Sequence, residues 1–389
     1  MASAKDVPAL VAAHQDYLGN PEYRAFAGYF MRSLFTKSNT LGKYQDVAEK
    51  YGTSVADIAY RTGEQWAVDE REMLFDVPLY HVSVPMMEVA KYAAEQLPDL
   101  ERWEEDTWPT HEGFLVFERP LRINDVWGRP SGIAAISWRR EVDRDGLASY
   151  ASGRTDTRGV DRSMTLLSTY AAADDPLDVY SVEINRQHGR SPAMGRWMLS
   201  HYEGISDEMR IGPYEFPDGE DFIRRYREQN AKIDMELHDD PEFRKVHQAM
   251  HPEDFDADGN VLGVDDPLPE RNEPGVNTER IIYAIFKLMN QTIAQKDVYT
   301  DKRHARRMRH KKRGTPPMVT VITLRRQEEW GYYEEGTGNW LTYRTIVRAH
   351  WQWYHLKDGT KIHKYVGPYW RGPEGAPIRQ PKRVNTLAR

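Results

Sequence analysis

Arg348, His350, Tyr354 and His363 carry, within one short stretch, the side-chain types needed to cleave RNA without a metal. Such a reaction needs a base for the 2′-hydroxyl, an acid for the leaving oxygen and a cation for the phosphate, and histidine titrates in the useful range. The four lie in VRAHWQWYHLKDGTKIHKYVGPYWRGPEGAP, residues 347–377, which holds six Trp and Tyr rings and three histidines. The same residue types also suit plain binding, with Arg on phosphates and Tyr rings on bases. A third reading has the rings and imidazoles covering a neighbouring part of the protein. Residue types alone leave an enzyme, a binding module and a structural surface all open.

The element that would position these groups is a β-hairpin. Asp358-Gly359 is a strong signal for a two-residue turn between β-prone runs. That turn sets Leu356 opposite Lys361 and Tyr354 opposite His363, and side chains then alternate between two faces. One face gathers Val347, Ala349, Trp351, Trp353, Ile362, Val366 and Trp370, with Lys364 reaching out past them, and reads as core. The other gathers Arg344, Arg348, His350, Gln352 and Tyr354 against His363, Tyr365, Tyr369 and Arg371. It is cationic, aromatic and poor in aliphatics, the composition of a nucleic-acid-binding face. MVTVITLRR, residues 318–326, is expected to supply a third strand to this sheet.

Upstream, DKRHARRMRHKKRG places Lys302, Arg303, Arg306, Arg307, Arg309, Lys311, Lys312 and Arg313 in one run. As a helix it would carry cations on every face and bury no stripe, so it is either a solvated linker or a phosphate contact, which needs charge but little geometry. The charge of the chain is uneven. Residues 301–389 hold 20 Lys and Arg against 7 Asp and Glu, a balance of +13, while residues 1–300 hold 33 against 53, a balance of −20. The basic end points to a polyanionic partner, DNA or RNA. The acidic remainder leaves room for a homo-oligomer or a protein partner.

Two further motifs compete with plainer explanations. YQDVAEKYGTSVADIAY, residues 44–60, has Ala48, Gly52 and Ile58 at helix-turn-helix intervals, but its second helix begins with Thr53, Ser54 and Asp57 and its neighbourhood is acidic. It reads as an ordinary helical hairpin. DFDADGNVLGVD, residues 254–265, sets Asp254, Asp256, Asp258, Gly259 and Asp265 at EF-hand positions. Position 12 is Asp rather than Glu, and Pro267 and Pro269 block an exiting helix, so a solvated Asp-Gly turn is the expectation. With no cysteine there is no disulfide and no thiolate metal site, and no phosphate-cradling glycine loop or zinc-protease motif is present. Neither a metal nor a cofactor is expected.

The overall pattern predicts an α+β protein in three stretches. Residues 1–105 read as helical. Residues 106–276 read as mixed, with strand candidates EGFLVFERPLRI, SGIAAISWRREV, RSMTLLSTYAA and LDVYSVEI, helical texture over 219–250 and an acidic loop at the end. Residues 277–389 comprise a helix, the basic run and an antiparallel sheet module. NTERIIYAIFKLMNQTIAQK is the clearest helix, with Asn277 or Thr278 as its cap, Glu279 at its positive end, and Ile281, Ile282, Ile285, Leu288, Met289 and Ile293 as an apolar stripe. Nowhere do about eighteen apolar residues run together, so no membrane span is expected, and the setting reads as cytoplasmic.

RIIYAIFKLMNQTI (280–293), VTVITLRR (319–326), YRTIVRAHWQWY (343–354) and VGPYWRGPEGAP (366–377) together resemble an uncharacterised family of actinobacteria, their phages and mobile elements. In that pattern a His-Trp pair, here His350-Trp351, recurs with a Pro-Tyr-x-x-Gly-Pro segment, here Pro368 to Pro373. The resemblance covers roughly the last 110 residues. It implies an intracellular prokaryotic or phage setting, brings no activity with it, and fits a regulatory protein, a growth-inhibiting ribonuclease-like toxin or defence effector, or a non-catalytic scaffold.

Overall fold

The four residues of strand β1 (Leu79–Val82) are buried on both sides, which a strand achieves only when paired on both edges and covered on both faces. β1 runs parallel to β2 (Glu112–Asn124) and to β7 (Met318–Leu324), and the helix α4 (Val84–Glu95) makes the crossover from β1 to β2. The rest of the sheet is antiparallel. β2 pairs with β3 (Pro130–Asp143), β3 with β4 (Arg162–Ala172), β4 with β5 (Trp197–Ser206), and β6 (Ala294–Thr300) with β7. The strand order is β5-β4-β3-β2-β1-β7-β6. The computed structural model describes residues 2–37, 48–98, 101–125, 128–143, 162–189, 195–207, 209–212, 240–262, 266, 276–291, 293–300, 318–324, 345–371 and 377.

Period-two alternation sends neighbouring strand residues into two different cores. Phe114 and Val116 enter the first, with α1 (Val7–Leu18), α2 (Pro21–Lys37), α3 (Val55–Met73), α5 (Val179–His188) and α6 (Pro241–Met250). Leu115 and Phe117 enter the second, with α4, α7 (Thr278–Met289) and part of the C-terminal ribbon. Pro120 lies where the β2–β3 register shifts between Val116 and Leu121, a place where its missing N–H leaves no ladder bond broken. The protein is thus α+β, built on a mixed sheet whose strands come from all three stretches of the chain.

Several expected elements form as read. β2, β3 and β4 follow their apolar runs, and α7 is capped by Asn277, whose side chain accepts from the Arg280 amide. α7 is buried along nearly its whole length. Arg280, 1% exposed, turns its guanidinium to the end of α4 and donates to the carbonyls of Ala94, Leu97 and Gly212. A buried cation thus sits at the negative end of α4, on the carbonyl of Ala94 in its last turn and on that of Leu97 just beyond it.

Other expectations are corrected. LDVYSVEI is not a strand but the start of α5: the Asp178 carboxylate accepts the Ser181 amide as an N-cap, and Tyr180, Ser181 and Ile184 are buried at helical spacing. MVTVITLRR does not join the C-terminal hairpin; its residues 318–324 form β7 inside the central sheet. The helix-turn-helix-like segment places α3 in the core, where Gly63 lets the Ala27 backbone approach closer than any Cβ would allow. Thr53, Ser54 and Asp57 form its capping network, which leaves these groups occupied at the helix start. Residues 44–47 and 219–239 lie outside the described residues.

Candidate functional site

The C-terminal ribbon is one long antiparallel hairpin interrupted once. β9 (His350–His355) pairs with β10 (Lys361–Val366), and β8 (Thr345–Val347) pairs in the same register with β11 (Tyr369–Arg371). The break falls at Arg348-Ala349 and Gly367-Pro368, where Pro368 has no N–H to give. The turn is at Asp358-Gly359 as expected, but its loop has three residues, Lys357 to Gly359. Leu356 N donates to Thr360 O at 2.8 Å, and Gly359 takes the left-handed conformation, φ +86°.

That extra residue changes the faces. Tyr354 pairs with Ile362 rather than His363, and His363 pairs with Trp353. A one-residue slip turns every side chain of one strand over. Trp351, Trp353, His363 and Tyr365 therefore share the inner face, while His350, Gln352, Tyr354, Ile362, Lys364 and Val366 share the outer one. The expected polar face, with His350 beside His363, is not assembled.

On the inner face the rings form a ladder. Trp353 stacks on His363 (4.3 Å between centroids, planes 8° apart), His363 meets Trp351 at 4.9 Å, and Trp351 meets Tyr365 at 5.2 Å. The root of the ladder is fixed to the second core: Trp351 Nε1 donates to Ala93 O at 2.9 Å, and the Tyr365 amide donates to Gln291 Oε1 at 2.7 Å. His363 Nδ1 stands 3.5 Å from Glu101 Oε1, which also accepts from Tyr283 Oη at 2.6 Å. Burial works to raise the Glu101 pKa, but the hydrogen bonds from His363 and Tyr283 and nearby positive charge outweigh it and hold the carboxyl below its usual range. Burial pushes the Tyr365 phenol up, so it stays neutral.

The outer face looks to solvent. Arg348, Gln352 and Lys364 are exposed and His350 and Tyr354 half-buried. His350 Nδ1 donates to Arg348 O at 2.9 Å, and since a carbonyl only accepts, this nitrogen carries the proton. Lys364 Nζ lies 5.8 Å from the centre of the Tyr354 ring. Tyr369 is half-buried and Arg371 exposed. Lys302, Arg303, Arg306, Arg307, Arg309, Lys311, Lys312, Arg313 and Arg344 lie outside the described residues; the first eight belong to the connection between β6 and β7. Of the four groups considered for RNA cleavage, Arg348, His350 and Tyr354 stay on the outer side and His363 is buried on the other.

Two arrangements escaped the sequence reading. On β5, His201 and Glu203 point the same way into a cleft of about 530 Å³ that also takes in Ile123, Tyr180, Asn277 and Glu279. His201 Nε2 is 3.4 Å from Glu203 Oε2. His201 is half-exposed at the cleft wall, so desolvation does little to lower its pKa, and the Glu203 hydrogen bond and the charges of Glu203 and Glu279 raise it. Such a pair can hold or pass a proton. The His-x-Glu spacing within a strand was its only sequence signal, because Glu279 arrives from α7.

The second arrangement orders Ser33, His247 and Asp254 like a nucleophile, base and acid, with Ser33 Oγ 2.7 Å from His247 Nδ1 and His247 Nε2 3.5 Å from Asp254 Oδ2. Ser33 is fully buried, so no substrate reaches it, and the trio ties α2 to α6 and the turn that follows. In the EF-hand-like loop, Asp254 is spent on His247, and Asp256 accepts from the Asp258 amide and from both the amide and side chain of Asn260. Among the described residues no group of three or more His, Asp or Glu is arranged to hold a metal ion. Nor is any helix among them long and apolar enough to cross a membrane.

Comparison with protein-family models, curated proteins and solved structures found no match to this chain.

Proposed function

We propose that the protein binds nucleic acid through the exposed surface of the C-terminal ribbon, together with the basic segment between β6 and β7, as a regulatory protein of the phage or mobile-element type. The supporting observation is the charge of an exposed ribbon. Residues 345–371 contain Arg348, Lys357, Lys361, Lys364 and Arg371, all exposed, against one acid, Asp358, in a chain of net charge −7. A two-stranded element with exposed cations on both sides neutralises phosphates without needing a deep pocket. Tyr354, His350 and the exposed His355 add hydrogen-bonding and stacking groups.

The separation of His350 from His363 speaks against the ribonuclease-like alternative, because base and acid would have to work from opposite sides of the ribbon. The test of binding is fluorescence anisotropy with labelled DNA and RNA at low salt. Changing Arg348, Lys364 and Arg371 together to Ala should weaken binding at least tenfold. Undiminished affinity in that triple variant would sink the proposal.

A further inference from the structure

Trp353 reads as a core residue in the sequence, yet its side is 52% exposed at the outer end of the ring ladder. It is nevertheless held in place. His363, its cross-strand partner, lies flat beneath one face of the indole, has a side chain only 6% exposed, and is wedged on its other side by Trp351. The Glu101 carboxylate fixes the imidazole from below and is in turn held by Tyr283 of α7. A ring oriented this way loses little freedom when another flat ring settles on it. The next cross-strand pair toward the turn, His355 and Lys361, points to the same side and is exposed, and Lys357 follows in the turn itself.

We infer that Trp353 is a stacking shelf for one unpaired base, with Lys361 and Lys357 placed for the adjoining phosphates, so that the nucleic acid taken by this ribbon is single-stranded. The inference rests on the nucleic-acid reading above and narrows it. In a duplex each base is covered on both faces by its neighbours, and an indole gains access only after unstacking. An unpaired base offers a free π-face, and because every base has one, such a shelf selects strand state more than sequence. The ladder behind Trp353 supplies the rigidity, and the lysines supply the charge.

The experiment measures anisotropy of labelled oligo(dT), oligo(U) and a blunt DNA duplex at low salt, with wild type, Trp353→Ala and Trp353→Phe. Base-on-aromatic stacking predicts that Trp353→Ala weakens single-strand binding roughly five- to hundredfold and that Trp353→Phe keeps most of it. Duplex binding should be weaker in wild type and change less than about twofold in either variant. Because the ring is largely exposed, circular dichroism should show both variants folded. Single-strand affinity unchanged in Trp353→Ala, while the Arg348, Lys364 and Arg371 triple variant still loses binding, overturns the shelf and leaves the nucleic-acid reading standing. No binding of any probe by wild type overturns both.

Discussion

His14 is a buried titratable group with no polar partner. It is buried among Tyr23, Phe114, Tyr170 and Trp197, and neither ring nitrogen has a hydrogen-bond partner. Burial pushes its pKa down to about 3. An unfolded histidine takes up a proton at about pH 6.5 while the folded one stays neutral, so stability falls as pH drops from 6.5 toward 3. His14→Leu removes this liability. Urea denaturation at pH 7 and pH 5 should show the variant gaining about 2 kcal/mol on wild type between the two. A constant difference would show that His14 is not the group responsible. The two histidines first considered together also part company at this scale. His363→Ala strips a partner from the buried Glu101 and should cost about 2 kcal/mol, while His350→Ala, on the solvent side, should stay within about 0.5 kcal/mol of wild type.

At the scale of elements, one buried cation ties α7 to the end of α4 across their shared core. Arg280→Met keeps the bulk but leaves the carbonyls of Ala94, Leu97 and Gly212 without their charged donor, and should destabilise by about 3 kcal/mol in chemical denaturation. A change below about 0.5 kcal/mol would mean that water replaces the guanidinium freely. The apolar stripe and the Asn277 cap of α7 were legible in the sequence because both are local. The role of Arg280 was not, because its acceptors lie far away along the chain. β1 escaped notice for a related reason: four residues are too few to show a period, and their burial comes from β2 and β7. The ribbon shows where a correct local signal still misleads. Asp358-Gly359 suits a two-residue turn and equally a three-residue loop with Gly359 left-handed. With aromatic or aliphatic residues on both faces of both strands, nothing in the hydrophobic pattern chose between the registers. The error moved His363 and Tyr365 inward and left Trp353 in water.

For the molecule as a whole, the mixed sheet separates two cores and carries on one side a cationic ribbon attached through Trp351, Tyr365 and His363 to the second of them. Charge asymmetry was readable from composition alone; that the ribbon stands exposed required the fold. The −20 balance of residues 1–300 would repel a polyanion, so the proposed binding is expected to be local to the basic end and sensitive to salt. The most direct measurement is the dependence of nucleic-acid affinity on salt concentration, in wild type and in the Arg348, Lys364 and Arg371 triple variant. Each phosphate contact contributes about 0.7 to 0.9 to the slope of log affinity against log salt, so a steep wild-type slope should become shallower by about 2 to 3 in the variant. Identical slopes, or no measurable affinity in wild type at low salt, would contradict the account.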